Sequence, residues 1–480
     1  MKSALNAVAI AAFSSLALAK EIAPDEELSA SLFQSGVRHN QIMSHKTSFW
    51  ASRREQGLFD STQYKSMAAD VDYVPCVDGL AELVAGDPLY TFNCSGLDLY
   101  DFKSHADLGS NDGEGAGSWG WTSADGREFV AIAQSDGAAF LEVSSAGKLI
   151  YLGRLPQYPD AEPSLWREIK GYKNYIVIGS EANNHGIQIF DMSKLLDVDP
   201  ASPVTFNNEG DIFHFNGLPA GRSHTVQTNE ELGYAVASGS QPRTDACRSG
   251  LIFIDLSDLN NLTSPGCAAA DGYVHDAQCL VYRGPDEKYV GTDICYGYNE
   301  DTLTIYNVTD KAAATIISRT SYEGASYTHQ GWVLDEQWQQ FLVLDDEYDE
   351  YDGAGPGAAG YPITYIWDIS SLEAPKQTGY YSAKVKGIDH NQFINGDFAY
   401  QSNYGGGLHV LDISSIPEDP TGAGVTEVAH FDIYPEDDAE DGGGIIEFVG
   451  TWSHYPYFAS GYIVINTIER GAYVVKASSS

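Results

Sequence analysis

Basic residues are scarce in this sequence. Its 27 lysines and arginines stand against 67 aspartates and glutamates, which gives a formal net charge of -40 at pH 7. A phosphate backbone or an anionic membrane surface would be repelled by such a chain, so we expect neither nucleic acid nor an acidic membrane among its partners. A solvated acidic surface and the binding of cations are the two interpretations that the charge leaves open.

Long hydrophobic runs are absent after the first nineteen residues. Residues 1–19 contain Lys2, an apolar stretch from Ala7 onwards and a small-residue ending at 17–19, which is the pattern of a secretory signal peptide. No later segment reaches the ~20 apolar residues of a membrane span, and the C-terminal residues lack the apolar tail of a lipid-anchor signal. The sequence therefore predicts a secreted, extracellular protein with no membrane span.

Cysteine is infrequent, and its few positions are close together in sequence. Cysteines of an exported chain are more often bridged than free, so disulfide bonds are expected, although six cysteines allow 15 pairings. The local pairs are Cys76 with Cys94, Cys247 with Cys267, and Cys279 with Cys295. A glycoprotein is predicted, if the source is eukaryotic, by three sequons at Asn93, Asn261 and Asn307. We expect the protein to be a monomer.

Three common catalytic motifs are also missing. There is no Gly-x-Ser-x-Gly elbow before a helix, no phosphate-binding loop and no His-Glu-x-x-His helix. These absences exclude only the enzymes that depend on those motifs.

What the sequence does contain is a repeat. Seven segments share an alternating apolar strand that mostly ends in an acid or amide and a small polar residue, at intervals of 44 to 64 residues. A period near ~50 residues with several short strands in each unit is typical of propeller blades. We therefore predict an all-β, seven-bladed β-propeller over residues 76–480. The segments are 139–144, 187–193, 251–257, 303–309, 364–370, 408–414 and 472–476.

The two ends of this repeat region have their own predictions. The last unit is short, and the strand-like segment 97–102 can supply its missing outer strand and so close the ring. Residues 20–75 are polar and partly helical, and we interpret them as an N-terminal extension that either packs on the propeller or is a propeptide. His39 and His45 within it lack metal-ligand spacing and are interpreted as solvated.

Blocks of ordered residues between Cys76 and the C-terminus support a family resemblance. They include Trp119-Gly120-Trp121-Thr122, the stretch 243–250, and His275-Asp276-Ala277-Gln278-Cys279. These blocks resemble the LVIVD-repeat proteins called the choice-of-anchor B family. The resemblance implies an extracellular β-propeller, attached to the cell surface in many relatives by a C-terminal anchor, and it implies no particular reaction.

Histidines recur at or beside the start of five predicted innermost strands. Because innermost strands line the channel of a propeller, these side chains are expected to meet at one mouth of that channel. Neutral imidazoles from several strands can form an open site for Zn, Cu, Fe or Mn, and the alternative is that they hydrogen-bond neighbouring blades and only hold the ring together. The five are His224, His275, His329, His390 and His454.

Other polar and aromatic residues are predicted at the same mouth. Glu168, Glu300 and Asp301 suit general acid–base catalysis, because burial beside other carboxylates would raise the pKa of one group and leave its partner ionised. A small molecule or a glycan could stack on aromatic rings there and contact basic groups. The residues expected to bind such a ligand or a cofactor are Trp121, Trp166, Arg167, Arg243 and Arg470.

An acidic segment, residues 345–352, lies in the same set of loops. It is rich in carboxylates and contains no basic residue, so it predicts a calcium site, with a solvated acidic loop as the alternative. Asp345, Asp346 and Glu347 are the expected metal ligands or supporting carboxylates.

Three classes of function remain open from the sequence. The first is a metal or ligand site in the channel mouth that serves a metal-dependent enzyme. The second is a metal-independent lyase or hydrolase of glycans, and the third is a non-catalytic adhesion or scaffold module.

Overall fold

Seven small antiparallel sheets form a ring in the computed structural model of the protein, which describes residues 20–478. The predicted seven-bladed β-propeller is therefore confirmed. The signal peptide predicted over residues 1–19 lies outside the described residues. Among residues 20–478, no helix combines the length and the apolarity needed to cross a membrane.

The helices and strands follow the repeat order of the sequence. The elements that precede the first blade are β1 (Glu21–Ile22), α1 (Glu26–Leu28), α2 (Val37–Glu55), β2 (Leu80–Glu82), β3 (Thr91–Ser95) and β4 (Leu97–Ser104). Blade one contains β5 (Gly115–Thr122), β6 (Glu128–Gln134), β7 (Gly137–Val143) and β8 (Leu149–Pro156). Blade two contains β9 (Arg167–Tyr172), β10 (Tyr175–Ser180), β11 (Ile187–Asp191) and, after the short β12 (Val204–Thr205), β13 (Ile212–Phe215).

The remaining blades repeat this four-stranded pattern. Blade three contains β14 (Thr225–Asn229), β15 (Tyr234–Ser238), β16 (Leu251–Asp255) and β17 (Thr263–Ala268). Blade four contains β18 (Asp276–Val281), β19 (Asp293–Asn299), β20 (Thr302–Asn307) and β21 (Thr315–Tyr322). Blade five contains β22 (Thr328–Val333), β23 (Phe341–Asp346), α3 (Asp349–Asp352), β24 (Ile363–Asp368) and β25 (Lys376–Ser382). Blade six contains β26 (Gln392–Asn395), β27 (Phe398–Ser402), β28 (Leu408–Asp412) and β29 (Thr426–Phe431), and blade seven contains β30 (Thr451–Tyr455), β31 (Ile463–Thr467) and β32 (Gly471–Ala477).

Blade seven is completed by the strand predicted to close the ring. Strand β4 pairs antiparallel with β32, and Phe102 lies opposite Tyr473 with their ring centroids 4.4 Å apart. Short strands also cover other outer edges, since β1 pairs with β21, β3 with β29 and β12 with β8. Paired edges leave fewer backbone groups open to another chain.

The blades pack through apolar side chains that alternate along each strand. The third strands β7, β11, β16, β20, β24, β28 and β32 match the seven repeat segments, and their apolar residues are buried between neighbouring sheets. Packing between the innermost strands is close, since a Cβ on Gly120 would lie 2.2 Å from the ring of Tyr455. The three predicted local cysteine pairs are the disulfides of the structure, Cys76–Cys94, Cys247–Cys267 and Cys279–Cys295.

The N-terminal extension packs on the propeller through one face of α2. Its buried residues are His39, Ile42, Lys46 and Trp50, which are spaced three to four apart and so share one side of the helix. The interpretation of His39 as solvated was wrong, because its Nδ1 lies 2.9 Å from the hydroxyl of Tyr327 in the protein interior. Helix α2 lies over the end of the channel at which the innermost strands begin, which we call the mouth.

Candidate metal centre at the channel mouth

Four imidazoles form a continuous arc at the mouth. His224, His275, His329 and His390 lie at or beside the first residues of β14, β18, β22 and β26, so consecutive blades bring them side by side. Neighbouring ring centroids along this histidine arc are 4.2, 4.1 and 4.5 Å apart. All four side chains are largely buried.

Each ring of the histidine arc has its Nδ1 atom beside an acceptor oxygen. The distances are 2.5 Å from His224 to Glu181 Oε1, 2.9 Å from His275 to the carbonyl of His329, 3.0 Å from His329 to Asp345 Oδ1 and 2.6 Å from His390 to the carbonyl of Trp452. An oxygen acceptor requires the proton to be on Nδ1, which leaves Nε2 as the atom able to bind a metal. Metal-binding histidines in proteins are oriented in this way by a carbonyl or carboxylate.

The first two rings of the arc share a proton. His224 Nε2 lies 2.7 Å from His275 Nε2, and His275 already donates from Nδ1, so its Nε2 holds the lone pair and accepts. Burial lowers the pKa of His275 well below its ordinary value, which keeps that ring neutral. His224 must then donate from both nitrogens, to His275 and to the carboxylate of Glu181.

Glu181 is ionised in this arrangement. Burial raises its pKa, but the hydrogen bond and charge of His224, with smaller contributions from His39 and Arg222, outweigh burial and set the pKa at about 2. The carboxylate thus accepts the Nδ1 proton of His224 and fixes the orientation of that ring.

A carboxylate faces the histidine arc from the turn that follows β23. Ligand atoms of Glu347, His275 and His329 all lie within 4.8 Å of one another, and His390 Nε2 is 3.6 Å from Glu347 Oε1. Burial raises the pKa of Glu347, but the charge and the hydrogen bond of Lys46 oppose it, and the pKa lies at about 2. Glu347 Oε1 accepts hydrogen bonds from Tyr404 and Lys46, each at 2.6 Å, whereas the buried Oε2 has no partner.

Helix α2 covers this centre. Lys46 extends from the helix to Glu347, and the ring centroid of Trp50 is 5.1 Å from that of Trp166 and 6.2 Å from that of Trp452. Beneath the helix, on the channel axis, a cavity of about 20 Å³ is lined by the histidine arc together with Trp166, Glu168 and Trp452. That volume holds about one water molecule or one ion and excludes an organic substrate.

His454 does not join the arc, although it was predicted to. Strand β30 begins at Thr451 with an irregular register between Thr451 and Ser453, which places Trp452 at the mouth, 4.9 Å from His390. His454 is two residues further along the strand, so it lies deeper in the channel, where its Nδ1 is 2.8 Å from Ser402 Oγ.

Trp121 also lies away from the mouth, contrary to the sequence prediction. It is near the end of β5 rather than its start, and its ring packs 5.4 Å from that of Phe129. It lines a pocket at the opposite end of the channel, with Trp332 and Tyr455 among its neighbours.

The three consecutive residues predicted for blade two have different roles. Trp166 packs against Trp50 at the mouth. The buried guanidinium of Arg167 donates to the carbonyl of Gln134 and lies 2.6 Å from His185 Nε2, so it is held between blades. Glu168 accepts from Lys170 at 2.5 Å and lines the axial cavity.

The residues predicted for acid–base catalysis and for ligand binding in the outer loops form their contacts away from the histidine arc. Arg243 forms a double hydrogen bond with Glu300 and also donates to the carbonyl of Phe33 in the extension. Burial raises the pKa values of both Glu300 and Asp301 to about 6, so the expected split into one raised and one ordinary pKa is not seen. Arg470 is buried and donates to Glu436 and to the carbonyl of Leu89.

Asp345 and Asp346 support the site without facing the histidine arc as ligands. Asp345 accepts from His329, from the backbone of Gln330 and from Gln392. Asp346 accepts four hydrogen bonds, which come from Tyr322, Ser326, Tyr327 and Tyr348. Of the three carboxylates predicted as metal ligands, only Glu347 faces the imidazoles.

Sequence reasoning missed one contributor to the mouth. Lys46 was overlooked because the extension showed no motif, although the spacing of His39, Ile42, Lys46 and Trp50 marks a single helix face.

Comparison with known proteins supplies no argument about function. No protein-family model and no curated protein matches the chain. Solved structures that match include a computationally designed protein, Ika8, with a TM-score of 0.42 and 10% sequence identity over 84% of this chain and 95% of that one. Function has to be argued from the site itself.

Proposed function

We propose that this protein is a secreted propeller that binds a transition-metal ion at its channel mouth. The ligands would be the Nε2 atoms of His275 and His329 and the carboxylate of Glu347, with His390 beside them, and His224 would release the Nε2 proton that it donates to His275 when the metal binds. The observation that supports this most is the shared orientation of the four rings, each with Nδ1 beside an acceptor and Nε2 left toward its neighbours.

The donor set narrows the choice of metal. Imidazole nitrogens with one carboxylate suit Zn, Cu, Fe or Mn, and no thiolate is present because all six cysteines are paired. A metal ion binds only to the unprotonated nitrogen of an imidazole. Burial lowers the pKa of His329 well below its ordinary value and lowers that of His390 to about 4. These rings are therefore ready to bind a metal at neutral pH.

Catalysis at such a centre would require access from solvent. The axial cavity admits one water-sized ligand, and Lys46 holds one oxygen of Glu347. We therefore propose that a metal-dependent reaction, if the protein performs one on an organic substrate, follows displacement of α2. The glycan-cleaving alternative gains no support from Glu300, because Arg243 holds its carboxylate.

The test is metal content after purification and after controlled loading. Protein stripped of metal and incubated separately with Zn, Cu, Fe and Mn should retain one equivalent of one of them, as measured by mass spectrometry. A His275→Ala, His329→Ala double variant should retain none. The matched control is His409→Ala, a buried histidine on the third strand of blade six that lies away from the mouth. Wild-type protein that retains no metal, or a double variant that retains as much as wild type, would contradict the proposal.

A further inference from the structure

A second cluster of acidic side chains lies between blades five and six. Asp349 and Glu350 are on α3, and Asp389 is on the segment that leads into β26. Ligand oxygens of these three residues, which we call the acid cluster, lie within 4.8 Å of one another. The cluster contains neither histidine nor cysteine.

The acid cluster is buried and its oxygens lack partners. Asp389 is 2% exposed, and among residues 20–478 neither of its carboxylate oxygens finds a hydrogen-bond partner. Asp349 Oδ1 and Glu350 Oε2 are also unpartnered, while the other oxygens of those two residues accept from the hydroxyl of Tyr365 and the amide of Ile363. Leaving a buried carboxylate without a donor costs more than almost any other polar arrangement.

Nearby Asp346 shows how this fold satisfies a buried carboxylate when no cation is needed. Its side chain is equally buried, yet it accepts four hydrogen bonds from Tyr322, Ser326, Tyr327 and Tyr348. The bare oxygens of Asp389 are thus specific to the acid cluster and are not a general property of this region.

No basic side chain neutralises the acid cluster. Within residues 20–478, none of the ion pairs joins a lysine or arginine to Asp349, Glu350 or Asp389, and the nearby Asp345 pairs only with His329. Protons or a metal cation must supply the missing positive charge.

We propose that the acid cluster binds a calcium ion. Oxygen-only ligands favour a hard cation, and calcium accepts carboxylates in the irregular arrangements that loops provide. Magnesium releases its water reluctantly, so a site this deeply buried favours calcium between the two. The sequence predicted a calcium site within residues 345–352, and the acid cluster uses Asp349 and Glu350 of that segment together with Asp389 from the next blade, without Asp345, Asp346 or Glu347.

The position of the acid cluster gives the ion a structural role. Asp349 and Glu350 follow Glu347 by two and three residues, and Asp389 precedes His390. A calcium ion held by these side chains would fix the two segments that carry Glu347 and His390 to the mouth. The proposal stands without the transition-metal site, since no residue is shared between the two.

The experiment compares thermal unfolding and calcium content of the full chain in excess EGTA and in excess calcium. Wild-type protein should bind calcium in equilibrium dialysis and unfold at a higher temperature when calcium is present. Asp389→Asn should weaken calcium binding by at least the roughly 10-fold loss that outer partners of a metal already cost. In EGTA the same variant should unfold at a higher temperature than wild type, because one buried acidic group has been removed. In calcium, wild type should have the higher unfolding temperature of the two.

Two control variants test whether the calcium response belongs to the acid cluster. Asp346→Asn should lower the unfolding temperature in both conditions, because Asp346 has its hydrogen-bond donors already. The double variant His275→Ala, His329→Ala should keep the calcium response, which separates this proposal from the transition-metal centre. Wild-type protein that binds no calcium, or Asp389→Asn that binds it as tightly as wild type, would overturn the calcium site.

Discussion

At the residue scale, the acceptor beside each imidazole matters as much as the imidazole itself. Asp345 receives a hydrogen bond from His329 Nδ1, which fixes the ring orientation and makes Nε2 a better donor to a metal. Glu181 and two backbone carbonyls do the same for the other rings. A site of this kind depends on residues that never touch the metal.

Substitution of Asp345 by asparagine tests that dependence. We expect Asp345→Asn to weaken transition-metal affinity roughly 10- to 100-fold, because the amide is a poorer acceptor for His329. Competition titration against a chromophoric chelator measures the change. Glu427→Gln is the matched control, since Glu427 forms the same contact with His409 Nδ1 at 2.8 Å on another part of blade six. Equal losses in the two variants would count against an orienting role for Asp345.

A second residue-scale prediction concerns Glu469 and pH. This buried carboxylate accepts from the amide of Gly450, and burial raises its pKa to about 7. The unfolded chain loses this proton near the ordinary value of 4.5, so the folded state holds more protons between pH 4.5 and about 7, and folding stability falls as pH rises through that window.

Glu469→Gln removes this titration. We expect the variant to gain up to about 3 kcal/mol over wild type at pH 8 and little at pH 4.5. Thermal melts across that range measure the difference, with Glu440→Gln as the exposed control. A difference in stability between variant and wild type that stays constant with pH would contradict the pKa of about 7 assigned to Glu469.

At the element scale, helix α2 and the histidine arc compete for one carboxylate. Lys46 donates to Glu347 Oε1, the same group that a metal would bind. A buried ammonium and a metal ion cannot both neutralise Glu347 at full strength. The helix would therefore act on the proposed metal site through the charge of Lys46 as well as by covering the mouth.

Substitution of Lys46 by methionine should separate these two effects. Without metal, Lys46→Met leaves Glu347 buried and unpaired, and we expect a loss of about 3 to 5 kcal/mol in the free energy of unfolding. With metal bound, the loss should be much smaller, because the ion supplies the positive charge. Melting curves with and without the metal give both values. The control is Arg53→Met on the same helix, which should lower stability equally in both conditions.

The strands were the most predictable elements. Apolar alternation in segments such as 251–257 and 408–414 revealed the third strand of each blade, and the closing strand followed from the short last unit. The mouth was only partly predictable. The register irregularity in β30, which places Trp452 rather than His454 at the mouth, has no sequence signal. The contact between Lys46 and Glu347 has none either, because the two residues are 301 positions apart.

At the scale of the whole molecule, the mouth is asymmetric. Blades three to six supply imidazoles, whereas Trp452 of blade seven and Trp166 of blade two meet Trp50 of the helix. One side of the mouth can thus bind a cation and the other can anchor the helix. The same division explains how α2 stays in place over the ring, although none of the three disulfides joins residues 20–75 to a blade.

Removal of the extension should leave the ring intact. All strands of the seven blades lie between residues 97 and 478, so a variant that starts at residue 60 should keep its β-sheet circular dichroism spectrum. Its metal should exchange with a chelator faster than that of the full chain, because Trp50 and Lys46 no longer cover the mouth. An unchanged exchange rate would show that α2 does not limit access.

The pairing of β4 with β32 also sets the order in which the protein assembles during synthesis. During synthesis, helix α2 and β4 leave the ribosome early, yet β32, the strand of blade seven with which β4 pairs, is the last strand to be made. The mouth cannot assemble, and α2 cannot settle over it, before the ring closes. The half-built protein therefore passes through a stage in which its histidines are open to the surrounding medium, and the metal it keeps would be chosen by the compartment in which that closure takes place.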